Sequence, residues 1–203
     1  MKNDSVNIGV WLERGFDLYR ENLDVLVPAS AIAFVLGVCT FGVLSGPMLA
    51  GLLAMVLCLL DRSGRKPRMG DVFKGFDCFA QALFFVLAWF MIPLGVLMWV
   101  PKIGWLLCAA WKMLVLPLGM FGLFLIQERG MDFWAASVES IETVRRRYFP
   151  IAAVHVVAGV LGSLGFIACG IGVVITMPLY FCAAAVVYRD VVREPAAPHP
   201  VDA

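Results

Sequence analysis

The sequence predicts an all-α, polytopic membrane protein with about six transmembrane helices, paired as three helical hairpins, and with amphipathic interfacial helices on the cytoplasmic side. Composition is the first evidence, since 62% of the 203 residues are hydrophobic and the mean hydropathy is +0.89, more than a water-soluble domain can bury. The distribution of charge is the second. All 15 acidic residues lie outside three apolar blocks, 25–60, 78–127 and 148–188, which contain only two basic residues, Lys102 and Lys112.

Each apolar block is long enough for two helices. One pass through the ~30 Å hydrocarbon core takes about 20 residues, and every block carries helix-breaking residues near its middle. These residues predict the turns of the three hairpins: Gly46 with Pro47, Pro101, and Gly170. The second span would reach only about 20 Å as a helix, so we expect it to begin before Pro47, to extend into Asp61, or to be re-entrant. The predicted spans are 25–43, 48–60, 79–100, 104–126, 150–169 and 171–188.

The basic residues predict the orientation. If each block is a hairpin, the segments outside the blocks all lie on one face of the membrane, and all of the 16 basic residues except Lys102 and Lys112 lie in those segments. The positive-inside rule makes that face cytoplasmic. We therefore expect a multipass protein of a prokaryotic cytoplasmic membrane with both termini inside. A single helical membrane domain is expected over residues 1–193, followed by a disordered, Pro-rich tail over 194–203.

Amphipathic helices are predicted in the cytoplasmic segments. One lies near the N-terminus, where Trp11 is suited to the level of the lipid headgroups. A second begins after Asp132 as its N-cap, and a third begins near Asp71. These helices either engage lipid or a protein partner, or serve as plain interfacial anchors. The apolar face of the first helix consists of Ile8, Leu12, Phe16, Tyr19 and Leu23. That of the second helix consists of Trp134, Val138, Ile141, Val144 and Tyr148.

Two polar residues inside the predicted spans are the candidate site residues. Lys112 lies within the fourth span, and no predicted span holds an acidic residue to pair with it. It is either a cation that binds an anion or a lipid headgroup, or a lysine that snorkels towards the outer interface. His155 lies within the fifth span. It is either a neutral imidazole that hydrogen-bonds inside the bundle or a proton-relay group, which would need an ionisable partner.

His155 shares a helix face with small residues. Gly159 and Gly162 follow it at helical spacing, and Ser163 lies beside the same stripe. Small residues at an interface let two membrane helices approach each other closely. We therefore expect the face formed by His155, Gly159, Gly162 and Ser163 to pack tightly against a neighbouring helix.

Five short motifs resemble the landmarks of a known family. They are GPMLAG at 46–51, GDVFKGF at 70–76, VPKIG at 100–104, FWAA at 133–136 with Ser140 downstream, and VVYRD at 186–190. The pattern is similar to that of a broad family of prokaryotic integral membrane proteins, which in turn resembles the membrane domain attached to some glycerophosphodiester phosphodiesterases. The resemblance extends over about residues 11–193 and implies a multipass topology. It implies no hydrolase activity, because the phosphodiesterase catalytic domain has no counterpart in this chain.

Motifs of known chemistry are missing from the sequence. It holds no phosphate-binding glycine loop, no HExxH and no GxSxG, so neither catalysis nor a cofactor or metal is predicted. The net charge of +1 gives no reason to expect nucleic acid as a partner. Membrane lipids are the expected partners, and a homo-oligomer or another membrane protein remains open.

Three classes of function follow from these observations. The predicted function is a non-enzymatic membrane scaffold or accessory module. The alternative is a small-molecule or lipid transporter, or a channel-like protein, with a cavity between the hairpins and Lys112 and His155 as its polar lining. An intramembrane lipid enzyme ranks last, because paired carboxylates, or a nucleophile with its base, are missing from the spans.

Overall fold

A computed structural model describes residues 8–61, 66–163 and 171–193, and every regular element among them is a helix. Two of the helices contain a short π-helical turn, at Leu87–Met91 and at Trp111–Val115. The helices, in chain order, are α1 (Ile8–Glu21), α2 (Leu23–Cys39), α3 (Ser45–Leu60), α4 (Met69–Met98), α5 (Gly104–Arg129), α6 (Phe133–Arg146), α7 (Tyr148–Ser163) and α8 (Ile171–Arg193).

Several of these helices have the length and composition of membrane spans. Within the described residues, α4, α5 and α8 are long and apolar enough to cross a membrane. α1 and α2 together form a fourth candidate, although the chain bends by 89° between them. α3 and α7 are apolar but shorter. The chain is therefore a helical, membrane-embedded protein with three or four candidate membrane-spanning segments.

The turn of the first apolar block differs from the prediction. Residues 40–44 form it, and Phe41 and Gly42 adopt left-handed backbone conformations there, with φ of 52° and 89°. Gly46 and Pro47, the predicted turn residues, instead lie in the first turn of α3. A proline is tolerated at that position because its missing N–H would have had no helical partner. α3 thus begins before Pro47 and covers 16 residues.

The other two predicted turns have different outcomes. Pro101 lies in the turn at 99–103, between α4 and α5. Gly170 lies outside the described residues, in the segment between α7 and α8. The two helices of each apolar block contact each other, since α2 packs on α3, α4 on α5, and α7 on α8.

α3 forms the centre of the core. Most of its residues are buried, and it contacts α2, α4, α5 and α8. Its closest neighbour is the first part of α4, where a Cβ added at Gly51 would overlap the Val72 carbonyl, and a Cβ added at Gly75 would overlap the Pro47 carbonyl. Small residues at these positions let the two backbones touch. Gly51 ends the GPMLAG motif and Gly75 belongs to GDVFKGF, so these two motifs pack on each other.

α1 packs on α8 with a face that is rotated from the predicted apolar face. Trp11 is only 6% exposed, and its indole N–H donates to Asp190 Oδ2 at 2.7 Å. A Cβ added at Gly15 would lie 2.7 Å from Ala183 Cα, so the two helices cross at close range. Phe16, on the predicted apolar face, is 49% exposed. The expectation that Trp11 lies among the lipid headgroups is wrong, because its indole packs into the core.

α6 buries a face that only partly coincides with the predicted one. Its predicted N-cap is confirmed, since Asp132 Oδ1 accepts a backbone N–H from the first turn at 2.8 Å. Its buried residues are Ala136, Ser137, Ser140 and Val144, and the Ser140 hydroxyl donates to the Leu118 carbonyl at 2.6 Å. Of the predicted apolar face, Val144 is buried but Trp134 is 68% exposed. Hydrogen bonds to α5 therefore contribute to the choice of the buried face together with hydrophobicity.

Candidate functional site

A cavity of about 470 Å³ lies between the three apolar blocks. Helices α3, α4, α5, α7 and α8 all contribute to its lining, which is mostly apolar and whose polar side chains are Lys112, His155 and Tyr180. The lining residues that are exposed at the surface, Lys112, Met113 and Val160, mark a mouth between α5 and α7. The structure thus brings the two site residues predicted from the sequence to the same cavity.

His155 hydrogen-bonds to another helix of the bundle. Its Nδ1 lies 2.9 Å from the Tyr180 hydroxyl oxygen. His155 and Lys112 both line the cavity, and α7 packs on the π-helical turn that carries Lys112. A hydrogen-bonded imidazole inside the bundle is the simpler of the two interpretations from the sequence.

The backbone around Lys112 lacks one of its usual helical hydrogen bonds. In the π-helical turn Trp111–Val115, the N–H of Leu116 bonds to the carbonyl of Trp111, five residues earlier. The next N–H in this register belongs to residue 117, which is Pro117 and has none. The Lys112 carbonyl is therefore left without its usual donor from its own helix.

Two other prolines inside helices create the same need. Pro93 removes the usual donor for the carbonyl four residues earlier, and that carbonyl accepts from the Trp111 indole N–H at 3.1 Å. Pro178 does the same in α8, where the freed carbonyl accepts from the Ser30 hydroxyl of α2. An unsatisfied carbonyl in a membrane interior is costly, so neighbouring helices supply donors for it. Prolines inside the helices thus indicate where side chains of other helices must reach.

Lys112 has no charged partner in the described part of the chain. It is exposed at the cavity mouth, and none of the ion pairs among the described residues involves it. No acidic residue belongs to the described lining of the cavity. The ammonium group is therefore not neutralised by a neighbouring carboxylate within the structure.

The predicted tight packing of the α7 face is wrong at Gly159. A Cβ added there would meet no atom within 4 Å, because Gly159 lines the cavity instead of touching a neighbouring helix. Gly162 and Ser163 end α7, and their surroundings lie outside the described part of the structure. Their role in helix packing stays a prediction.

A polar cluster joins the ends of three helices. The Arg189 guanidinium of α8 contacts Asp61 Oδ2, just after α3, at 2.5 Å, and also Glu128 Oε1 near the end of α5. The Tyr188 hydroxyl donates to Glu128 Oε2 at 2.6 Å. The Arg189 side chain is only 14% exposed. The sequence analysis did not find this cluster, because its members lie far apart in the chain. The one signal that the charged members share is that Asp61, Glu128 and Arg189 each directly follow an apolar block.

The geometry alone defines the candidate site. Among the described residues, no three His, Cys, Asp or Glu side chains are placed to hold a metal ion. No protein-family model, curated protein or solved structure matches this chain. The candidate site consists of an apolar cavity, a hydrogen-bonded imidazole in its wall, and at its mouth a cation that has no carboxylate partner among the described residues.

Proposed function

We propose that this chain is a non-enzymatic membrane module that holds a lipid or a similarly apolar molecule in the cavity between its helix pairs. The proposal includes six spans paired as three hairpins in a prokaryotic cytoplasmic membrane, with both termini inside. The observation that carries it is the 470 Å³ cavity lined by all three apolar blocks. Its volume is in the range of small-molecule sites, which commonly lie between the helices of bundles.

The polar cluster supports the proposed topology. α3, α5 and α8 are the second helices of the three proposed hairpins, so each would leave the membrane on the same side. Asp61, Glu128 and Arg189 lie near their C-terminal ends, and Arg189 contacts both carboxylates. At the opposite end of the second hairpin, Trp99 and Trp105 are exposed beside the turn, where aromatic residues mark a membrane interface.

Reporter fusions test the topology. We expect a fusion after Arg68 and a fusion after Arg129 both to report a cytoplasmic location, because each would follow a complete hairpin. A phosphatase that is active only outside and a fluorescent protein that matures only inside give opposite signals. An outside location at either residue would contradict the three-hairpin topology.

The family resemblance supports a module rather than an enzyme. Its GPMLAG and GDVFKGF motifs hold backbone-to-backbone contacts between α3 and α4, and Tyr188 and Arg189 of its VVYRD motif belong to the polar cluster. Motifs with such roles maintain a fold and carry no catalytic group. Membership of the family remains part of this proposal.

The cavity chemistry favours a lipid-like ligand. Burial of an apolar ligand surface against an apolar lining is favourable, whereas such a lining offers few hydrogen bonds to a strongly hydrated solute. The mouth lies between exposed apolar residues, Met113 at 52% and Val160 at 51% exposure. In a membrane protein, such side chains face the acyl chains of the bilayer. A lipid can therefore enter sideways without crossing water.

Two glycines provide a matched test of ligand binding. Gly159 and Gly95 both lie in helices where an added Cβ would meet no atom within 4 Å, but only Gly159 lines the cavity. We expect Gly159→Leu to fill the cavity and to abolish retention of lipid after purification in detergent, measured by native mass spectrometry. Gly95→Leu should retain lipid as the wild type does. Equal retention in both variants would contradict the proposal.

A second cavity favours transport as the second candidate function. Its volume is about 350 Å³, and it shares Leu49 and Met177 with the central cavity as lining residues. Separation of these two side chains would join the cavities into one path. In proteoliposomes we expect transfer of a fluorescent lipid between leaflets, slowed by Met177→Trp with lipid binding retained. If the transfer rate is no higher than in protein-free liposomes, the transport function is contradicted and only lipid binding is retained as the proposed function.

A further inference from the structure

We propose that the ligand of the central cavity is an anionic amphiphile, with its phosphate or carboxylate head bound by the Lys112 ammonium at the mouth and its apolar chain inside. This inference rests on the proposed function, and it names the class of ligand. It concerns the head of the ligand, whereas the proposed function concerns only occupancy of the cavity.

Charge is the first reason. A lysine among apolar membrane-facing residues carries a large desolvation cost, so such residues are normally paired or functional. Lys112 is the only charged side chain in the described lining, and it has no carboxylate partner among the described residues. An anionic head would supply the missing counter-charge through charge-assisted hydrogen bonds.

The local backbone is the second reason. Pro117 leaves the Lys112 carbonyl without a helical donor, and a π-helical turn of this kind is frequent at functional sites. His155, which is held by Tyr180, lines the same cavity on α7, the helix that packs on this turn. The cation is therefore carried by an irregular turn at the cavity wall rather than by a regular stretch of helix.

The interior of the cavity is the third reason. His155 Nδ1 and the Tyr180 hydroxyl are hydrogen-bonded to each other. The deep wall consists of apolar residues such as Leu53, Phe85 and Phe124. A free inorganic anion would find one cation and a mostly apolar lining there, whereas an amphiphile uses both the cation and the apolar wall.

Lipid titration of the purified protein tests the inference. The protein in neutral detergent is titrated with phosphatidylglycerol or phosphatidylcholine carrying the same chains, and bound lipid is counted by native mass spectrometry. We expect about tenfold tighter binding of the anionic lipid, the effect of one hydrogen bond to a charged group. Lys112→Gln should remove this preference and keep binding of the zwitterionic lipid, while Lys112→Arg should retain the preference.

Control variants separate the site from general charge effects. Lys102→Gln, which removes the other lysine of the apolar blocks, should leave the preference unchanged. Oleate should compete with the anionic lipid, and inorganic phosphate at the same concentration should not.

The outcomes distinguish this inference from the proposed function. Equal binding of the two lipids by the wild type, or an unchanged preference in Lys112→Gln, would overturn the anionic head while leaving the cavity as a lipid site. Full displacement of lipid by inorganic phosphate would also overturn it. Absence of any bound lipid in the wild type would overturn the proposed function and this inference together.

Discussion

Arg189 and Lys112 are both cations close to apolar surroundings, but the chain treats them in opposite ways. Arg189 is 14% exposed and contacts two carboxylates, Asp61 and Glu128, from two other helices. Lys112 is exposed at a cavity mouth and has no carboxylate partner among the described residues. The fold pairs one cation with two carboxylates, and it leaves the other without a carboxylate partner among the described residues.

This difference separates a structural role from a functional one. The Arg189 cluster ties the ends of α3, α5 and α8 together, so its removal is expected to weaken the fold. The Lys112 ammonium has no carboxylate partner among the described residues, so it contributes little to the fold. A charge that the fold does not use, at the mouth of a cavity, is a candidate for ligand binding.

The largest expected effect is the loss of Arg189. Arg189→Met removes the cation and leaves two carboxylates facing each other, which we expect to lower the free energy of unfolding by about 3 kcal/mol. Denaturant titration in detergent micelles measures this change. The matched control is Arg129→Met, because the Arg129–Glu139 ion pair is 44% and 37% exposed and such pairs contribute at most about 1 kcal/mol. Equal losses in both variants would show that the Arg189 cluster contributes no more to stability than an exposed ion pair does.

A smaller effect is expected from Tyr188→Phe. This change removes only the hydroxyl that donates to Glu128 at 2.6 Å, and the ring still stacks on Phe124 with a centroid separation of 4.9 Å. We expect a loss of about 1.5 kcal/mol, typical of a hydrogen bond to a charged group. In Tyr188→Phe combined with Arg189→Met the losses should not add, because both act on the same carboxylate. Additive losses would indicate that the two contacts are independent.

The smallest effect on stability is expected from Lys112→Gln. The side chain has no partner among the described residues, so the free energy of unfolding in detergent without added lipid should change by less than about 0.5 kcal/mol. With an anionic lipid present, the wild type should become more stable than Lys112→Gln through linked binding. A large loss without lipid would mean that Lys112 is structural, as Arg189 is.

The sequence predicts much of the fold because its signals are local. The apolar blocks indicate membrane helices, and Asp132 indicates the start of α6, since both signals act within one or two helical turns. The predicted faces of α1 and α6 differ in part from the buried ones, because Trp11 and Ser140 find their partners on other helices. Gly46 and Pro47 mislead as turn residues, because both are also suited to a first helical turn that packs closely.

The candidate site could be predicted only in part. Lys112 and His155 are visible as polar residues in apolar blocks, but their meeting depends on how α5 and α7 pack. Pro117 carries a local signal of its own, since a proline leaves an earlier carbonyl in need of a donor. The Asp61–Arg189 contact has no such signal, because each residue alone is an ordinary charge at the end of an apolar block.

The most direct measurement is an experimental structure of the protein in nanodiscs that contain phosphatidylglycerol. The account predicts an acyl chain in the cavity between α5 and α7, with a phosphate oxygen about 2.8 Å from Lys112 Nζ. A cavity that is empty or collapsed, with the Lys112 side chain turned away from its mouth, would contradict the central claim.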